Sequence, residues 1–119
     1  MMALKHTNMP DVETESGIYI NTKSHTLKIP SGKVINIDEI TYVERVLGWP
    51  GEIHYKKLFP DGKSECYNEF LSIGSTQHDY YDYMDHNENE LHIEGENFSH
   101  LVKGKDAEFL WAWFLQYFH

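Results

Sequence analysis

The sequence predicts an α+β domain, a mainly antiparallel sheet of about six or seven short strands packed against one C-terminal helix. Three observations carry that expectation. Short β-branched and aromatic runs follow one another with only tight-turn chemistry between them, which argues against the helical crossovers of βαβ units. The last stretch, DAEFLWAWFLQYFH, changes to helical period. A composition 40% hydrophobic and 14% aromatic is that of a chain with a packed core.

Residues 1–15 are polar, contain Pro10 and show no period, so they read as a flexible arm ahead of a single domain over 16–119. GIYIN (17–21), HTLKIP (25–30) and KVINI (33–37) read as strands separated by turn residues. ITYVERVLG (40–48) reads as another, stopped by Pro50-Gly51. EIHYKKLF and SECYNEFLSI flank PDGK, where Pro60 presets a turn dihedral and Gly62 accepts a positive one. ELHIEGENFSHLV (90–102) supplies one or two more strands. In the closing helix Asp106 is the expected N-cap, and Glu108 complements the dipole in the first turn. Leu110, Trp113, Phe114 and Tyr117 form a core stripe, with Trp111, Leu115 and Phe118 on a neighbouring one. At the helical period the two stripes span about 200°, wider than the ~100° that covers one sheet.

Composition narrows the function classes. The 119 residues carry ten basic and nineteen acidic side chains, a formal charge of -9. That charge disfavours direct binding to nucleic acid or to anionic membranes and favours a basic protein partner. No apolar run approaches the ~20 residues that span a bilayer. MMALKHTNMPDVETES has no hydrophobic signal-peptide core, and the single Cys66 cannot form an internal disulfide. A cytoplasmic protein is the expectation.

Acidity is also local. Between Thr76 and Val102 there is no Lys or Arg, and HDYYDYMDHNENE (78–90) mixes carboxylates with tyrosines. Asp79, Asp82, Asp85, Glu88 and Glu90 are the expected steering charges for a partner, and Tyr80, Tyr81 and Tyr83 the amphipathic anchors. The bland alternative is a solvated loop. For Trp111, Leu115 and Phe118 the alternatives are a dimer or partner interface, or cover supplied by this chain itself.

Metal chemistry finds little support. From Asp85, DHNENELHIEGE offers oxygen ligands at the spacing of a calcium loop, but Glu90 stands where the turn demands glycine and the flanks read as strands. The histidines form no H-x-x-x-H pair; His78, His86 and His92 could converge with Asp79 only through tertiary structure. Cys66 reads as a packing residue. No nucleophile elbow, phosphate-cradling loop or dinucleotide fingerprint is present. No catalytic residue, metal or cofactor is therefore expected.

VINIDEITYVERV (34–46), the hairpin after it and LHIEGENFSHLVKGKDAEFLWAWFL resemble small prokaryotic and phage PH-like modules. In those a strand meander closes with one C-terminal helix. The resemblance spans residues 17–119, implies the fold and transfers no catalytic residue; GSTQHDYYDYMDHNE stands out as an elaboration. The functional expectation is a small acidic protein-binding factor, an inhibitor, counter-defence or immunity protein docking on a basic site of a larger nucleic-acid-handling protein. Its charge would imitate a phosphate backbone. The alternatives are an oligomer-forming module, such as a homodimer built on the helix, and a His/carboxylate metal-dependent enzyme.

Overall fold

A computed structural model describes residues 9–49, 52–70 and 89–118. Within them the chain is α+β, with nine strands in two antiparallel sheets and one C-terminal helix. The first sheet is a meander of β1 (Val12–Glu13), β2 (Tyr19–Asn21), β3 (Thr26–Lys28) and β4 (Val34–Asn36), paired in chain order. A 3-10 turn, Ile37–Glu39, leads into β5 (Ile40–Trp49). Then follow β6 (Glu52–Leu58), β7 (Ser64–Phe70), β8 (Asn89–Gly95) and β9 (Ser99–Lys103), which with β5 form a second sheet ordered β7-β6-β5-β8-β9. The helix α1 (Lys105–Tyr117) closes the fold.

Register explains the core. Directly paired residues of an antiparallel sheet share a face. Val12, Ile20, Leu27 and Ile35 are successive partners across the first sheet, and Leu58, Val43 and Ile93 across the second. These rows and the helix join in one hydrophobic cluster. The helix packs on β8 and β9 and buries Ala107, Leu110, Trp111, Trp113, Phe114 and Tyr117. At ~100° per residue those six span an arc of about 160°. Both sheets belong to the same cluster, which accounts for a helix apolar on more than one side.

Its start differs from the expected cap. Gly104, at φ 70° and ψ -139°, is the N-cap, and no side chain caps the first turn. That conformation suits glycine alone. Asp106 lies inside the first turn and accepts a hydrogen bond from Ser16 Oγ (2.6 Å). A missing side-chain cap costs about 1 kcal/mol. Burying each large apolar side chain contributes roughly 2 kcal/mol. Packing therefore sets where this helix stands.

The N-terminal segment also departs from expectation, since residues 9–15 fold onto the domain. Val12 and Glu13 pair with β2, and Met9 and Val12 pack against the core. Asp11 Oδ1 accepts from both the backbone N–H and the hydroxyl of Thr22, each at 2.9 Å. Those two bonds hold its carboxyl below the ordinary aspartate range.

The predicted hairpin is present. Leu58 pairs with Ser64, Phe59 N–H donates to Lys63 O (2.9 Å), and Gly62 takes φ 90°. A bulge between Ile40 and Tyr42 interrupts the β5–β8 ladder, and Thr41 Oγ1 donates there to Glu94 O (3.1 Å). Beside it Gly95 is tightly enclosed. A Cβ at this position would lie 2.5 Å from the Phe98 ring and 2.8 Å from Glu39 O. Phe98 could turn away, but the Glu39 carbonyl is backbone.

Gly95→Ala should therefore destabilise the fold by ~1–3 kcal/mol in denaturant melts, the range for overpacking; an unchanged midpoint would contradict the close approach. A second outcome concerns Tyr117, whose phenol is raised above the usual tyrosine range by burial and, secondarily, by the Asp38 charge. A raised native value means stability present below the free-tyrosine pKa and lost as pH climbs through the native one. In an alkaline spectrophotometric titration one tyrosine should ionise after the others, together with unfolding, and Tyr117→Phe should abolish that step.

Candidate functional site

The two faces of the five-stranded sheet differ in character. Val43, Arg45 and Leu47 share the inner face with Leu58, Ile93, Leu91 and Val102, toward the helix. Arg45 Cζ sits 5.1 Å from the Trp111 ring centroid, so a cation closes the edge of the core over an aromatic face. The opposite, outer face carries Tyr42, Glu44 and Val46 from β5, Ile53, Tyr55 and Lys57 from β6, and Glu65, Tyr67 and Glu69 from β7. From β8 and β9 it receives Glu90, His92 and Glu94, and Ser99, Leu101 and Lys103.

Aromatic rings and carboxylates are interleaved there. Tyr55 and Tyr67, direct partners across β6 and β7, stack at 4.5 Å and 10°. The Tyr55 hydroxyl donates to the Glu69 carboxylate. Lys57 Nζ lies 4.7 Å from the Tyr42 ring centroid, and His92 Nε2 is 3.6 Å from Glu90 Oε1. Val46, on this face, is buried yet lies outside the core cluster. Tyr67 and Leu101 are exposed at 51% and 46%, leaving apolar area on a charged face.

Glu44 stands at the middle of this face. It is directly opposite Lys57 on one side and His92 on the other. Its Oε2 is nevertheless buried with no hydrogen-bond partner among the described residues. A carboxylate oxygen kept from water without a donor has unmet acceptor capacity.

Of the expected partner-binding residues, Asp79, Tyr80, Tyr81, Asp82, Tyr83, Asp85 and Glu88 lie outside the described residues, as do His78 and His86. Glu90 is described and projects from β8 on the outer face, opposite Val46 and diagonal to Glu44. His92 shares that face, and no group of three or more metal-ligating side chains occurs among the described residues. The second half of the weighed calcium loop is the extended strand β8, which does not wrap around an ion.

Two expectations are corrected. Trp111 and Phe118 belong to the hydrophobic core at 5% and 4% exposure, covered by this chain, so the expected helix interface does not exist as a three-residue surface. Leu115 alone of the three is exposed, at 44%. It borders a groove of about 530 Å³ with Leu58, Phe118, Lys56 and Lys63. Cys66, read as a packing residue, is exposed in β7. Trp111 and Phe118 are covered because both sheets join the helix in one cluster, whereas Cys66 is exposed because Ser64–Glu69 of β7 are exposed on both faces. Sequence reading missed the outer-face set of Tyr42, Glu44, Tyr55, Glu65, Tyr67 and Glu69. The alternation of EIHYKKL and SECYNEF was its available signal.

Trp111→Ala should cost ~3–5 kcal/mol of stability, as a core truncation does, whereas Leu115→Gln should change it by no more than ~0.5 kcal/mol. A Trp111→Ala protein of native stability but altered oligomeric state in sedimentation would restore the interface. The chain matches no family model, no curated protein and no solved structure.

Proposed function

We propose that this chain is a small acidic protein-binding module that receives a basic partner on the outer face of its five-stranded sheet. The observation that carries the reading is the composition of that face. Among the described residues Glu44, Glu65, Glu69, Glu90 and Glu94 are set there against Lys57 and Lys103, with Tyr42, Tyr55 and Tyr67 among them. Tyrosine gives contact area at low rotamer cost, and clustered carboxylates give steering and charge pairing. Neighbouring strands lie about 5 Å apart. Glu44 on β5 therefore lies within about one Debye length, ~8 Å at physiological salt, of its diagonal neighbours Glu90 and Glu94 on β8, and Glu65 and Glu69, two strands away on β7, extend the negative surface.

Glu44 sharpens the argument. Its unpartnered oxygen is satisfied by a guanidinium or ammonium group and by nothing described within the chain. In finer form, the module is an inhibitor, immunity or accessory factor whose negative face occupies a basic site otherwise filled by a nucleic-acid backbone. Its role is occupancy, without chemistry.

Basic proteins retained from host extract by the wild-type chain should be lost when Glu44, Glu90 and Glu94 are all changed to lysine. With the retained partner, the association rate constant should fall by at least about tenfold between low and physiological salt. A rate indifferent to salt, or equal capture by the reversed-charge variant, would overturn the proposal.

A further inference from the structure

We infer that β7 is a strand-addition site, taking an extended peptide with basic residues four positions apart as a sixth, antiparallel strand. The inference rests on the basic-partner reading above and specifies how that partner is held.

β7 is terminal in the strand order, and among the described residues no strand pairs with its outer side. Its hydrogen-bonding phase follows from the hairpin. Phe59 and Lys63 form a bonded pair, and bonded pairs alternate along an antiparallel ladder. Glu65, Tyr67 and Glu69 therefore direct their backbone groups to β6, opposite Lys57, Tyr55 and Ile53. Ser64, Cys66 and Asn68 direct theirs outward. An edge of seven residues with an outward row of donors and acceptors is a template for another strand.

Charge selects which strand can add. Glutamate on an edge also discourages pairing with strands in general, so the strand admitted must answer it. Glu65 and Glu69 flank Tyr67 on the outer face, while Ser64, Cys66 and Asn68 on the inner face are uncharged. An antiparallel strand with Arg or Lys opposite each glutamate forms two cross-strand ion pairs, and an apolar residue between them covers Tyr67. Glu69 already accepts from Tyr55 and keeps further acceptor capacity. Pairing with a second copy of this chain about Tyr67 would instead set Glu65 against Glu69 of that copy.

The test uses the full chain and a capped synthetic peptide of β7's length. The peptide has arginine at its second and sixth positions, valine at the fourth and threonine elsewhere. Binding should slow amide exchange of Cys66 and Asn68 by at least about tenfold, leaving Glu65, Tyr67 and Glu69, already bonded to β6, unchanged. N-methylation of the peptide's third and fifth amides, which face Asn68 and Cys66, should weaken binding at least about tenfold. Glutamate in place of arginine should abolish it. Cys66→Pro removes only an outward N–H and should act like N-methylation. Equal affinity of the N-methylated and parent peptides would overturn strand addition while leaving a basic partner on the sheet face intact. No binding of the parent peptide, or self-association of the chain through β7 seen in sedimentation, would also overturn it. Loss of arginine dependence would reach further and count against the basic-partner reading itself.

Discussion

Everything in this molecule depends on the burial of one helix. The six inward side chains of α1 form a single cluster with both sheets. The meander of two- and three-residue strands is too short to stand alone. It has Ile18, Ile20, Leu27 and Ile35 to bury, and the shared cluster is where they go. The absence of a side-chain N-cap fits this order of magnitudes, because a cap is worth less than the burial of one large side chain.

The same packing decides what is left for function. One helix covers only part of a five-stranded sheet, and it lies over β8 and β9. The β6–β7 hairpin therefore reaches past it, with β6 half-buried from Glu52 to Lys57 and β7 exposed from Ser64 to Glu69. Uncovered sheet that faces water is polar or engaged. This one is charged and aromatic at once, with glutamates throughout and a tyrosine pair stacked between them. No helix among the described residues is long and apolar enough to cross a membrane.

The fold class and the element order were legible in the sequence because both rest on local signals. The change from strand to helical period at residues 105–117 and the PDGK turn each have a mechanism readable within a few residues. What escaped reading is set by tertiary contact. Trp111 and Phe118 read as a second, outward stripe because sequence shows the width of an apolar arc, but not that two sheets meet it. Cys66 read as buried because a strand was assumed to have a covered face. β1 was missed because two residues carry no period, and its place depends on Asp11 reaching Thr22 eleven positions away. The acidic outer face was missed for a different reason. Its glutamates come from three strands, and only register brings them together.

The bulge at Ile40–Tyr42 gives β5 an odd step. Ile40 and Val43 both point into the core although three positions separate them, a spacing that strict alternation forbids. One supernumerary residue, Thr41, acts as a phase shifter. Ahead of it Ile40 faces inward at an even number, and beyond it Val43 and Arg45 do so at odd ones. The sheet's polarity, with oil on one side and carboxylates on the other, is thus a matter of counting. Were the ladder regular here, Tyr42 and Glu44 would point at the helix, and Val43 would be turned out into water.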